Sequence, residues 1–307
     1  AKRHRSSPMT KSERLSPKVI ITIGGARVQK SLFVTVTSYG KLYFTTASYM
    51  NGPFFAKNEP GRSGVTNRFL QTTQVPVKPM VDIGGVPIII HIINIYRKFG
   101  IKKFIICLGF KGEIIKKYFI KKFKKFKILT KKNITILKSE SMEFYLLNTG
   151  INTMTGGRIK KVKNLVKNEK FFYLTYGDGL ANINIRRLTN FHLKQKKIAT
   201  VTVVKIQIPQ ERFGVIYFKK RNIVKSFLEK PNIKKIYING GFFVLSPKVI
   251  NYIKSNNSRW ETTPLQNIAK KRQLSAYRHN GFWKCMDTAR DKKALDILWK
   301  KGGAPWI

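Results

Sequence analysis

From residue 77 onward the hydrophobic positions fall into two alternating rhythms. Residues 87–99 carry apolar side chains at helical spacing and stop at Gly100; 103–108 is a continuous apolar run, followed by a turn at 109–112. Helical spacing returns at 113–123, and a strand pattern at 134–137. A helix over 156–167 puts Ile159, Val162, Leu165 and Val166 on one face and its basic residues outward. The most informative run is 171–179. Its apolar part reads as a parallel strand buried on both faces, and it ends in Gly177-Asp178-Gly179. Ligands in open α/β sheets sit beyond the carboxyl ends of such strands, which places Asp178 where chemistry happens. A helix at 184–194 and a β-branched strand at 199–205 come next. Then 213–218, 223–227 and 236–245 read as strands with few helices between them, before helices return at 247–254, 261–271 and 289–300. The pattern predicts an α/β fold with a mixed or antiparallel extension of its sheet.

Residues 1–76 do not join this rhythm. They contain no Asp, are rich in Ser, Thr and Gly, carry less lysine than residues 77–307, and hold strand-like runs at 19–23 and 32–37. The expected division is an atypical N-terminal segment, 1–76, and an α/β domain, 77–307. The opening 16 residues are basic and Ser-rich, in the manner of a transit peptide or of a fragment end.

Charge changes the picture less than its size suggests. With 61 Lys+Arg against 14 Asp+Glu among 307 residues, the formal charge is +47, which invites a polyanion-binding reading. The lysines lie in outward helix patterns such as Lys116-Lys117 and Lys160-Lys161, and they accompany abundant Ile, Asn, Phe and Tyr. That joint bias is what an AT-rich coding sequence produces on solvated faces, so incidental charge is the first reading and a selected nucleic-acid surface the second. Cys107 and Cys285 have no metal spacing, which fits a reducing compartment; His91 sits inside an apolar helix pattern, where a core role is expected. The apolar run 86–96 is too short to span a bilayer. A soluble, cytoplasmic protein is expected.

Two of the five aspartates stand in special contexts: Asp178 in Tyr-Gly-Asp-Gly, and Asp287 in Gly281-Phe-Trp-Lys-Cys-Met-Asp287-Thr288. Two carboxylates brought together at strand ends would hold a hard cation such as Mg²⁺, which shares its ligands with phosphates. Lys78 in Val-Lys-Pro-Met, Arg158 in Thr-Gly-Gly-Arg and Lys230 in Leu-Glu-Lys-Pro would supply the positive charge that phosphates need.

Over 77–306 the sequence resembles the sugar-nucleotidyltransferases, most closely their cytidylyl branch. The resemblance lies in Lys-Pro-Met-Val-Asp-Ile-Gly-Gly (78–85), Asn-Thr-Gly (148–150), Met-Thr-Gly-Gly-Arg (154–158), Tyr-Gly-Asp-Gly (176–179), Phe-Leu-Glu-Lys-Pro (227–231), Asn-Gly-Gly-Phe-Phe-Val (239–244), Gly-Phe-Trp (281–283), Met-Asp-Thr (286–288) and Ala-Pro-Trp (304–306). It implies a Rossmann-like nucleotidyltransferase fold, with a mixed, mostly parallel sheet, helices on both faces and a smaller β-rich sugar-binding extension. It also implies transfer of the cytidylyl group of CTP to glucose 1-phosphate, giving CDP-glucose, a precursor for the deoxysugars of surface polysaccharides such as O-antigen. In that scheme Asp178 and Asp287 hold Mg²⁺, and Lys78 with Asp178 forms the catalytic pair. Lys230 grips the sugar phosphate, Glu229, Asn239 and Gly240 meet the hexose, and Thr155, Gly156 and Gly157 meet the nucleotide. A homo-oligomer is implied as well. Transfer of another nucleotide (UTP, dTTP or GTP) is one alternative, and an inactive fold acting as a polyanion binder is another.

One family feature departs from the pattern. The glycine-rich phosphate loop, Gly-Gly-x-Gly-Thr-Arg in the family, has its nearest match at Gly24-Gly25-Ala26-Arg27, which lacks the third glycine and the threonine and stands about fifty residues before Lys78. Three accounts fit: a degenerate loop with a long insertion behind it, unrelated sequence joined to a truncated transferase, or a transferase-like fold turned to binding. Joined sequence is favoured by the shift in composition. The decisive question is whether 19–23 lies beside the strand that ends at Asp178.

Overall fold

A computed structural model describes residues 17–22, 31–36, 42–47, 77–206, 215–218, 224–228 and 236–307. The strands in chain order are β1 (Lys18–Thr22), β2 (Ser31–Val36), β3 (Leu42–Ala47), β4 (Asp82–Ile83), β5 (Val86–Pro87), β6 (Lys103–Leu108), β7 (Lys127–Lys131), β8 (Ile134–Lys138) and β9 (Glu143–Asn148). They continue as β10 (Phe172–Tyr176), β11 (Gly179–Ala181), β12 (Ala199–Ile206), β13 (Val215–Phe218), β14 (Val224–Leu228), β15 (Ile236–Leu245), β16 (Leu274–His279) and β17 (Trp283–Cys285). The helices are α1 (Ile88–Arg97), α2 (Gly112–Lys122), α3 (Thr155–Lys161), α4 (Lys163–Val166), α5 (Ile185–Gln195), α6 (Thr263–Lys270) and α7 (Ala289–Lys300).

Nine strands form one sheet in the order β16-β12-β15-β10-β1-β6-β9-β8-β7. Its centre is parallel, since β1 pairs in parallel with both β10 and β6, and β6 with β9; β15 and β8 run antiparallel to their central neighbours. Residues 19–22 of the strand expected at 19–23 thus lie directly beside β10, which leads to Asp178, and Ile23 is outside the described residues. Ile20 faces Leu174 on one side and Ile105 on the other, and Val19, Ile20 and Ile21 have no exposed surface. Consecutive side chains of a strand point to opposite faces, so a three-residue apolar run fits only a position covered on both sides. Val19 and Ile21 join the face packed by α1, α2, α5 and α7, while Ile20 joins the face packed by α3, α4, the segment 247–252 and α6. Lys18 closes the start of the strand, its ammonium 2.7 Å from the Leu165 carbonyl and 2.9 Å from Glu169.

The helix predicted at 156–167 is broken into α3 and α4 at Val162, and 247–252 is a 3-10 helix started by Pro247 behind the Ser246 cap. The chain divides into two compact units. One comprises 1–25, 77–205 and 237–307 and holds the large sheet; the other comprises 26–76 and 206–236 and holds the antiparallel pairs β2–β3 and β13–β14. The latter pair falls in the region where the sequence predicted a β-rich extension.

His192 of α5 is buried, and its Nδ1 lies 2.8 Å from the Thr200 hydroxyl, itself 2.7 Å from Ser275. Burial pushes the imidazole pKa from 6.5 down to about 4. The unfolded chain therefore binds this proton first as pH falls, so the stability from a neutral His192 is complete above pH 6.5 and is lost as pH drops toward 4. Through this group the protein should be about 2 kcal/mol less stable at pH 5 than at pH 7. His192→Gln should remove that part of the slope in urea denaturation at the two pH values, and an unchanged slope would refute the assignment.

Candidate active site

The backbone brings the two candidate carboxylates together. β11, which comes directly after Asp178, pairs antiparallel with β17, which leads to Asp287, and the Met286 amide donates to the Asp178 carbonyl at 2.8 Å. Asp287 stands immediately before α7, where a capping box holds the turn. Thr288 caps the Asp291 amide, and the Asp291 carboxylate takes the Thr288 amide at 3.0 Å and the Asp287 amide at 3.3 Å. Lys284 fixes Asp291 from the other side at 2.7 Å. The loop carrying Asp287 is therefore set before any ligand arrives.

Lys78 arrives from a 3-10 turn, Lys78–Met80, that Pro79 packs into the core. Its ammonium donates to Asp287 Oδ1 at 2.7 Å, with 47% and 54% of the two side chains exposed. An ion pair this exposed contributes little to stability, so its reason for existing lies elsewhere. Desolvation works against the charges at both groups, but their mutual hydrogen bond and attraction win: Lys78 is raised above the usual lysine value and Asp287 is held below the usual carboxylate range. The Asp178 carboxylate is close enough to add to the rise at Lys78. Cys285 completes the group. Its thiol, pushed up to about 12 by burial and then by Asp287 and Asp178, stays protonated and donates to Asp287 Oδ2 at 3.1 Å.

The site residues on the adjoining strands are also held from behind. Asn239 Oδ1 takes the Gly241 amide at 2.8 Å, and the Trp283 indole donates to the Gly240 carbonyl at 2.7 Å. Thr155 opens α3, and its hydroxyl accepts the Trp260 amide at 2.9 Å. Gly156 and Gly157 are glycines for a local reason: a Cβ at Gly156 would stand 2.7 Å from the Ser258 carbonyl, and one at Gly157 would overlap the backbone of Asn256. The loop 256–260 is thus laced to the Thr-Gly-Gly turn.

Arg158, read from sequence as a cation for phosphate, is fully buried. It is bonded through Nη1 to the Leu108 carbonyl at 3.1 Å and to the Thr149 hydroxyl, and the guanidinium closes the space above Gly109. Gly24, Gly25, Arg27, Glu229 and Lys230 lie outside the described residues. Sequence reading passed over Glu261, Cys285 and Asp291, which act on the site through contacts that no local motif announces.

The donor set is chemically consistent with magnesium. It offers two carboxylates and no softer ligand in ionised form, and among the described residues there is no cluster of three or more metal-ligating side chains. A cation bound there would draw its remaining ligands from water and phosphate, as Mg²⁺ does.

The nucleotidyl transferase family model matches residues 63–288. The glucose-1-phosphate cytidylyltransferase of Salmonella typhimurium is 43% identical over 249 residues, covering 79% of this chain and 95% of its own. A mannose-1-phosphate guanyltransferase of Yarrowia lipolytica is 26% identical over 235 residues, 76% of this chain and 60% of its own. Among solved structures, a UDP-glucose pyrophosphorylase complexed with UDP-glucose superposes with a TM-score of 0.57 at 16% identity, covering 94% of this chain and 100% of that one. HddC from Yersinia pseudotuberculosis gives 0.58 at 17%, covering 92% and 99%.

Proposed function

The chain belongs to the nucleotidyl transferase family, and from that premise we propose that it joins CTP to glucose 1-phosphate, giving CDP-glucose and pyrophosphate. An oxygen of the sugar-bound phosphate forms a bond to the α-phosphorus of CTP. The bond from that phosphorus to the oxygen bridging to the β-phosphate breaks, and its electron pair leaves with pyrophosphate. No enzyme nucleophile is required, so the protein's part is positioning and charge neutralisation.

The observation that carries this reading is the Lys78–Asp287 pair beside Asp178. An exposed lysine–carboxylate pair can be parted by ligands, the ammonium turning to phosphate oxygens and the carboxylate to a cation. Lys78 stays protonated through the neutral range and turns to phosphate oxygens. Asp178 and Asp287 would hold Mg²⁺, which when bound offsets charge on the transferring phosphate. Among the described residues, the hexose is met by Asn239 and Gly240, and the nucleotide by Thr155, Gly156 and Gly157. The choice of cytidine rests on the likeness to the Salmonella cytidylyltransferase along nearly all of its length. No helix among the described residues is long and apolar enough to cross a membrane, and the cytoplasm, where CTP and sugar phosphates are found, is the proposed setting.

A nucleotide panel tests this reading. With glucose 1-phosphate and Mg²⁺, pyrophosphate release is expected with CTP and at least about tenfold less with UTP, dTTP or GTP, because a base site that hydrogen-bonds one edge leaves polar groups unpaired with another. Release with UTP or dTTP and none with CTP would overturn the assignment.

A further inference from the structure

Glu261 is a carboxylate that the transfer reaction does not itself require, yet it lies between the two substrate sides. It stands just before α6 and gives its oxygens to different elements: Oε1 accepts from the Tyr176 hydroxyl at 2.7 Å and Oε2 from the Thr155 hydroxyl at 2.9 Å. Thr155 opens α3, on the side assigned to the nucleotide. Tyr176 ends β10 two residues before Asp178, and its hydroxyl accepts from Asn239 Nδ2 at 3.5 Å, on the side assigned to the hexose.

Hydrogen counting explains why a carboxylate is needed. The Tyr176 oxygen receives from Asn239, and the Thr155 oxygen receives the Trp260 amide at 2.9 Å, so each hydroxyl must send its own proton to an acceptor. Tyr176 keeps that proton, because desolvation and then the Glu261 charge raise its pKa well above the phenol value. Only a group with two acceptors and no hydrogen satisfies both hydroxyls. A glutamine would turn an NH₂ toward one of them. The ring of Tyr176 is held in turn by Gly241, where a Cβ would stand 2.9 Å from it and where φ is +80°. The ring thus packs on the backbone that carries the Asn239 turn, and a side chain at position 241 would displace it.

We infer that Glu261 is a positioning residue that sets the hexose side against the nucleotide side, so that the binding of each substrate depends on one shared carboxylate. This rests on the assignment of Thr155 and Asn239 to the two substrates made above. A charge-assisted hydrogen bond of this kind changes an equilibrium about tenfold or more, which sets the size of the expected effects.

The test compares wild type with Glu261→Gln, Tyr176→Phe, Thr155→Val and the Tyr176→Phe/Thr155→Val double variant. KM is measured for CTP and for glucose 1-phosphate, Kd for each by calorimetry, and Tm for each protein. Tyr176→Phe should raise the KM for glucose 1-phosphate about tenfold and that for CTP by a smaller factor, and Thr155→Val should do the reverse. Glu261→Gln should raise both. The double variant should lose less than the product of the single losses, because both substitutions disable the same carboxylate. Unchanged KM values in Glu261→Gln, a fall in its Tm with no change in either KM, or full additivity in the double variant would each overturn the inference. Should Glu261→Gln fail to fold, the additivity of the other pair decides alone. If wild type makes no nucleotide sugar with any nucleotide, the proposed function fails, and the Kd values still judge the coupling.

Discussion

Asp287→Asn is expected to cut kcat by about a thousandfold while the protein stays folded. The size reflects the carboxylate's part in the site: it is one of two oxygen ligands offered to a cation, and electrostatic groups aimed at a reacting phosphate are worth several kcal/mol each. The small cost in stability reflects exposure. About half of the side chain is in solvent, its partner Lys78 is equally exposed, and the turn around it is held by the Thr288–Asp291 capping box. The change in Tm should therefore be within about 2 °C. Binding of CTP should hold or tighten, since removing the carboxylate frees the Lys78 ammonium for phosphate oxygens and lowers the negative charge the nucleotide meets. Asp178→Asn should show the same separation of kcat from binding. The measurement is steady-state turnover with a magnesium titration, beside calorimetric binding of CTP. Turnover within tenfold of wild type in either variant would remove the two-carboxylate site.

The legibility of this site in sequence depended on distance along the chain. Asp178 could be read because one local fact, a doubly buried apolar strand running into Gly-Asp-Gly, carries the inference. Glu261 could not. Its two partners precede it by 106 and 85 residues, and nothing about a glutamate after a tryptophan marks it as a junction. The strands show the same divide. β6 was readable to the residue because burial on both faces writes a continuous apolar run, whereas every residue of β7 is exposed, and so no alternation marks it as a strand. Gly156 and Gly157 stand out in sequence as a dipeptide that suits a nucleotide, yet the constraint on them in the structure is the backbone of 256–258 pressed against the turn. A close approach between segments a hundred residues apart has no sequence signature of its own. The strand pattern at 19–23 is the intermediate case. Its type was evident from Val19-Ile20-Ile21, and its place in the sheet was obscured by the fifty residues that separate it from Lys78.

Ile20→Ala turns that placement into a measurable quantity. If residues 18–22 were joined sequence resting on a finished domain, truncating one isoleucine there would cost no more than a surface change. In the structure the strand is the axis of the sheet: it is hydrogen-bonded along both edges, to β10 and to β6, and Ile20 is fully buried against the face that contains Ile105, Leu174 and Phe243. Removing three carbons from such a site forfeits their transfer energy and leaves a cavity that a nine-stranded sheet can close only partly, a loss of about 2–5 kcal/mol. In a domain of this size that lowers Tm by roughly 5–15 °C. Ile128→Ala on β7 makes the same chemical change where the side chain is already 41% exposed and the sheet ends, and should cost less than about 0.5 kcal/mol. Thermal and urea denaturation of the two variants side by side isolates position from chemistry. Equal, small shifts would mean that the centre of the sheet does not depend on β1. A large shift for Ile20→Ala alone would make the N-terminal strand an integral part of the unit that carries Asp178. Because β10 is the immediate neighbour of β1, catalytic activity should then disappear over the same temperature range as the fold.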